Sequence, residues 1–114
     1  MRLITLSQDL LAQFDYFYRC KDYPKAAEKL EQTLRRGKRS ANIYFNLAQC
    51  YEKMDKPQKA TRYYGLAVGY APNQSNYWKH YAAALEKVGN FEEANGILEY
   101  ISCLLYTSDA ADDW

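Results

Sequence analysis

Apolar residues in the middle of the chain recur at helical intervals. Tyr44, Leu47, Ala48 and Tyr51 fall at i, i+3, i+4 and i+7, one stripe of an α-helix. Asp55-Lys56-Pro57 breaks that stripe. Proline lacks an N–H and suits the first turn of a new helix, and Asp55 just upstream is the expected N-cap. Ala60, Tyr64 and Ala67 then set a second stripe, which Pro72 ends because the residue before a proline is pushed out of the helical region. The pattern predicts a helical hairpin.

The pattern occurs twice more. Downstream, Trp78, Tyr81, Ala82 and Leu85 form a first stripe, Gly89-Asn90 a turn, and Phe91, Ala94, Leu98 and Ile101 a second stripe. Asn90 followed three residues later by Glu93 reads as a capping box. Upstream the copy is looser. Leu10, Phe14 and Phe17 share a face, with Gln13 where an apolar residue is expected. Asp22-Tyr23-Pro24 opens a second helix lined by Ala26, Leu30 and Thr33, and Gly37 stands where a C-cap is expected. Ala26, Ala60 and Ala94 are spaced 34 residues apart, twice over. A fixed period of that length marks a repeat architecture.

The residues that recur resemble the tetratricopeptide repeat family, whose pattern is a large aromatic, Leu-Gly and Tyr in the first helix and Ala, Phe and a final Pro in the second. The second copy carries it as Tyr44, Leu47, Ala48, Tyr51, Ala60, Tyr64 and Pro72. The third keeps Trp78, Ala82, Gly89, Phe91 and Ala94, and the first keeps Tyr23 and Ala26 but places bulky Phe14 where a small residue normally sits. The resemblance spans about residues 7–102. It implies an all-α fold, a right-handed α-α superhelix of three helical hairpins. The expected organisation is a lead-in at 1–6, a divergent repeat at 7–40, a repeat at 41–74 and an incomplete repeat at 75–102. Small residues at helix crossings let backbones approach, and the aromatics of one hairpin fill the space beside the next.

The last segment changes the charge balance. Residues 103–112 resemble the conceptual translation of a transposase-type sequencing-library adapter, so 103–114 is expected to be an artefact and the chain a C-terminally truncated fragment of a longer reading frame. The whole sequence carries a net charge of +1. Without Asp109, Asp112 and Asp113 there remain 11 acidic against 15 basic residues, a net of +4. Neither value demands nucleic acid or an anionic membrane as partner. No run approaches the length of a membrane span, and the N-terminal residues lack the apolar core of a signal peptide, which points to the cytoplasm. Cys20, Cys50 and Cys103 show no metal-ligand spacing and are expected to be free, buried thiols in a reducing compartment.

Catalytic chemistry finds little support. His80, the only histidine, has no nucleophile or acid at motif spacing. Glu92-Glu93 is explained by a helix start. The basic cluster Lys29, Arg35, Arg36, Lys38 and Arg39 suits the end of a helix and a solvated turn. No cofactor or metal is expected, and no small-molecule substrate.

In stacked hairpins the first helices line the concave wall. Their off-stripe residues are the candidate peptide-binding groove: Gln8, Leu11, Asp15 and Tyr18, then Asn42, Phe45, Asn46 and Gln49, then Asn76, Lys79, His80 and Ala83. Amides there suit a peptide backbone, and Phe45 or Tyr18 its side chains. The carboxylate clamp of some tetratricopeptide co-chaperones is not expected. Asn46 matches one clamp position, but Leu11, Asp15, Asn76 and His80 fill the other four. The expected function is a non-catalytic protein–protein interaction scaffold that holds a peptide or partner subunit. The alternatives are the repeat region of a larger enzyme with its catalytic domain downstream, or a structural subunit of an assembly. Repeat arrays need polar capping at their ends. Ile97 and Ile101 are expected to lack full cover, and self-association through the terminal repeat follows from that.

Overall fold

The computed structural model describes residues 2–112, with side chains described from Asp9 to Cys103. Its six helices are α1 (Arg2–Arg19), α2 (Tyr23–Arg35), α3 (Ala41–Lys53), α4 (Pro57–Tyr70), α5 (Ser75–Lys87) and α6 (Phe91–Asp112). No strand occurs among the described residues. Each helix packs on the next, so the chain is a stack of three helical hairpins, 51 × 36 × 23 Å in extent. The periodic stripes therefore mark helices as expected. The ends differ: α1 begins at Arg2, inside the expected lead-in, and α6 runs on through 103–112.

The three hairpin turns are the same turn. Lys21, Asp55 and Gly89, at 34-residue spacing, all have positive φ, of 64°, 60° and 87°. In each, the next residue donates its N–H back into the helix: Asp22 to Phe17 O (2.8 Å), Lys56 to Tyr51 O (2.9 Å) and Asn90 to Leu85 O (2.8 Å). The positive-φ residue itself donates to Tyr18 O, Glu52 O and Glu86 O respectively. This pair of bonds is the Schellman ending, which satisfies the last carbonyls of the helix. Gly37, with φ of 90°, closes α2 in the same way.

That turn moves the expected cap. Asp55 is the left-handed residue rather than the N-cap of α4. The N-cap is Lys56, whose side chain makes no capping bond. The equivalent residues do cap: Asp22 accepts from Lys25 N (3.5 Å), and Asn90 Oδ1 accepts from Glu93 N (3.4 Å). Glu93 does not reach back to the Asn90 N–H, which is already spent on Leu85 O. It accepts instead from Asn90 Nδ2 at 3.0 Å. The expected capping box is thus half backbone and half side chain.

The core follows the stripes. Ala26, Ala60 and Ala94 are 0–1 % exposed, and Leu30, Leu47, Ala48, Tyr64 and Ala67 are fully buried. All of these but Ala94 join Ile43, Tyr44, Cys50 and Tyr51 in one cluster that runs from α2 to Ala84 of α5. A second cluster holds Ala82, Leu85, Ala94, Ile97 and Ile101, and Tyr81 packs against both. Ile97 and Ile101 are therefore covered, by α5 with Trp78 alongside, against the expectation that they lack cover.

Phe91 and Leu98, expected on the inward stripe of α6, are 60 % and 41 % exposed. The inward line is Ala94, Ile97 and Ile101. Leu98 is the period-mate of Leu30 and Tyr64, which are buried where the following helix packs. Among the described residues no helix follows α6, so Leu98 faces outward. Cys50 is buried as expected, whereas Cys20 and Cys103 are exposed, Cys20 because it sits in the first turn.

Candidate functional site

The groove candidates lie on α1, α3 and α5, the first helix of each hairpin. Asn42, Asn76, Lys79 and Ala83 are exposed, and Asn46 and Gln49 half-buried. Asn46 Nδ2 donates to Asn42 Oδ1 at 3.5 Å, a weak link one helical turn apart. Leu11 and Asp15 are exposed on α1, where Asp15 pairs with Arg19 Nε at 3.1 Å. Two such exposed side chains one turn apart hold each other only loosely. The Gln8 side chain lies outside the described residues, as do those of Leu104, Leu105 and Tyr106 and the whole of Asp113 and Trp114.

Phe45 is not an open contact. It is 8 % exposed, with its ring stacked on Tyr77 (centroids 4.4 Å apart) and met by the His80 edge at 4.9 Å and Tyr64 at 5.6 Å. Two aromatic residues of α5 close over it, and it joins α3 to α5 instead of lining a groove. Tyr18 is half-buried between Phe14 (5.6 Å) and Tyr23 (5.3 Å), and burial raises its phenol pKa, with Cys50, Tyr23 and Glu52 nearby adding to the rise. It too is mostly packing.

His80 is half-buried, with Nδ1 2.9 Å from the Asn76 carbonyl oxygen. A carbonyl only accepts, so Nδ1 carries the proton and donates. Its ring also lies 5.8 Å from Tyr64. These contacts make His80 a packing link of the α3–α4–α5 junction. They also leave it no nucleophile to activate among its described hydrogen-bond partners.

A polar node was not legible in the pattern. Glu52, on α3, accepts from Tyr64 OH of α4 at 2.8 Å and pairs with Lys87 Nζ of α5 at 3.6 Å. Three helices meet on one carboxylate. Burial and the bond to Glu52 push the Tyr64 phenol pKa well up. Glu31 of α2 plays a matching part for α3, accepting from Tyr51 OH, and burial and that bond raise Tyr51 likewise. The signal available was the position of both tyrosines on the inward stripe, since a buried phenol needs an acceptor. The acceptors lie 20 and 12 residues away, beyond any local pattern.

The basic residues Arg35, Arg36, Lys38 and Arg39 are exposed around the end of α2, and Lys29 is half-buried. No group of three or more metal-binding side chains occurs among the described residues, and no helix there is long and apolar enough to cross a membrane.

The tetratricopeptide repeat profile matches residues 20–84. No curated protein matches the chain. Among solved structures, yeast Tom70 is similar at 26 % identity and TM-score 0.79, over 84 % of this chain and 20 % of that one. YrrB, described as a tetratricopeptide repeat protein with an unusual peptide-binding site, is similar at 18 % identity and TM-score 0.80, over 88 % and 52 %. MamA of Desulfovibrio magneticus RS-1 gives 17 % identity and TM-score 0.81, over 91 % and 59 %. At 17–18 % identity the likeness to YrrB and MamA is one of fold. The chain spans a fifth of the Tom70 chain and somewhat over half of the other two. With one turn repeated three times, alanines buried at each crossing and the profile match across more than half its length, the chain belongs to the tetratricopeptide repeat family.

Proposed function

We propose that this protein is a non-catalytic interaction scaffold that holds an extended peptide, or a segment of a partner subunit, along the face formed by α1, α3 and α5. The observation that carries the reading is the row of amides on that face. Asn42, Asn46, Gln49 and Asn76 stand exposed or half-buried, and their only side-chain bond to one another is the 3.5 Å link within α3. Buried amides are normally spent inside a fold, so a row left at the surface is available to a peptide backbone. The core beneath is rigid: Phe45, Tyr64, Tyr77 and His80 interlock α3, α4 and α5. A preorganised face loses little entropy on binding. The peptide site named for YrrB supports the reading by analogy of fold.

The contacts expected to matter are Asn42, Asn46, Gln49, Asn76 and Lys79, with Leu11, Asp15 and Ala83 at the margins. Phe45, Tyr18 and His80 act from below by holding the helices in place. A displayed library of random peptides, selected on the protein, tests this. Selected peptides are expected to shift backbone NMR signals of α1, α3 and α5. The double variant Asn46→Ala/Gln49→Ala is expected to weaken them about thirtyfold, each lost amide bond contributing about 1 kcal/mol. An acidic EEVD-ending peptide serves as a negative control, because Asp15 repels a carboxylate. Peptides that map to α4 and α6, or that ignore the double variant, overturn the proposal.

A further inference from the structure

The flanks of the three hairpins are built differently at one place. In the second hairpin Tyr63 stacks between Tyr44 (6.2 Å) and Tyr51 (5.5 Å), Tyr70 lies 5.2 Å from Tyr44, and Lys59 Nζ sits 5.0 Å over the Tyr51 ring. The first hairpin repeats the last contact, with Lys25 Nζ 5.6 Å from the centre of the Phe17 ring. Lys25 and Lys59 are period-mates. Each of these two flanks therefore carries its own cation on an aromatic face.

The third hairpin departs from the second at three period-related positions, and Leu85 stands where Phe17 and Tyr51 lie under the cation. Lys59 is replaced by Glu93, Arg62 by Gly96 and Tyr63 by Ile97. The changes invert one charge and remove two large side chains. What remains is an open groove of about 380 Å³, lined by Trp78, Glu93, Gly96, Ile97 and Tyr100. Its walls are two rings, Trp78 and Tyr100, with centroids 5.3 Å apart and planes at 64°. Trp78 is pinned by its indole N–H, which donates to Pro72 O at 2.8 Å. A Cβ added at Gly96 would meet nothing within 4 Å, so the floor there is open. Among the described residues the Glu93 oxygens take neutral donors, Asn90 Nδ2 at 3.0 Å and Tyr81 OH at 3.4 Å. No cation pairs with Glu93 among the described residues.

We infer that this groove is a binding site for a basic side chain, lysine or arginine, presented by a partner protein. The aliphatic stem would lie on Ile97 and over Gly96. The charged end would sit against the Trp78 and Tyr100 faces within reach of the Glu93 carboxylate. Tryptophan gives the strongest attraction of a cation to a ring, and a carboxylate at the rim adds to it. Trp78 lies on the side of α5 away from Lys79 and Ala83, so the site is separate from the proposed peptide face and stands without it.

Nα-acetyl-lysine methylamide and Nα-acetyl-arginine methylamide are the probes, with the Nε-acetylated lysine amide as the uncharged counterpart. The readouts are the Trp78 indole N–H and the Tyr100 ring signals in NMR. Both charged probes are expected to shift these signals saturably, the stronger of the two identifying the preferred side chain. The uncharged amide and the Glu93→Gln variant are each expected to bind at least about fivefold more weakly. Glu93→Lys and Gly96→Arg, which restore the residue types of the second hairpin, are expected to abolish the shift. Circular dichroism is expected to show that these variants, all at exposed positions, remain helical. The inference is overturned if the uncharged amide shifts Trp78 as strongly as the charged ones, if Glu93→Gln binds normally, or if neither charged probe binds.

Discussion

Buried phenols bonded to carboxylates make this fold sensitive to alkali. Tyr51 and Tyr64 are on the inward stripes, donate to Glu31 and Glu52, and have pKa values raised first by burial and then by those bonds. Burial also raises Tyr18, Tyr63 and Tyr81. A phenol in the unfolded chain ionises near pH ~10. The folded pKa lies above the unfolded one, so the stabilisation is complete below pH ~10 and lost as pH rises beyond it. The midpoint of urea unfolding is expected to be flat between about pH 7 and 9 and to fall steeply above about 10. Tyr64→Phe removes one of these groups. It is expected to cost about 1–2 kcal/mol at neutral pH, by leaving Glu52 short of a donor, and to make the alkaline fall shallower. An unchanged alkaline slope in that variant would assign the effect elsewhere. The thiol of Cys50 follows the same logic, since burial pushes its pKa up to about 12 and holds it as an unreactive thiol.

At the scale of the element, the repeated turn is the feature that decides most. A left-handed residue at positions 21, 55 and 89 is free of strain only at Gly89. Lys21 and Asp55 hold the same conformation with a Cβ, at a cost of about 1 kcal/mol each. Lys21→Gly and Asp55→Gly are therefore each expected to raise stability by about 0.5–1 kcal/mol, read as a higher urea midpoint with unchanged slope. A loss of stability in both would show that those side chains do more than occupy the turn. The turn also shows what was legible in the chain. The six helices could be read from the spacing of apolar residues, because a buried stripe must recur at 3.6 residues. The capping residue of α4 could not. Aspartate before Lys-Pro fits an N-cap by type, yet the preceding helix claims that position for its own ending, one residue earlier than the cap. Likewise Phe45 reads as available because it lies off the stripe of its own helix. Its cover, Tyr77 and His80, comes from α5, and such a contact has no local signature. The amide row was legible because polar residues on a helix face need no partner from elsewhere to stay outside.

At the scale of the molecule, stacking depends on one helix face meeting the next, and the register of that meeting is constant. Thr61 Oγ1 of α4 donates to Ala84 O of α5 at 3.3 Å, and a Cβ at Gly65 would touch the Tyr81 ring at 3.4 Å. Leu30 and Tyr64 are buried in the corresponding junctions. The same face of α6 presents Asn95, Leu98, Glu99 and Ser102, with Leu98 and Phe91 exposed. A helix face set by period to meet another helix, but solvated here, is expected to drive weak association between copies. Sedimentation or light scattering is expected to give a mass that rises with concentration, and Leu98→Lys to return it toward the monomer without loss of helicity. The substitution is a sharp one because Ile97 and Ile101, on the inward side of the same helix, stay covered by α5. A charge at Leu98 therefore changes the outer face and leaves the hairpin core untouched. If the mass is already constant and monomeric in the unsubstituted protein, the outer face of α6 is polar enough, through Asn95, Glu99 and Ser102, to serve as its own cap.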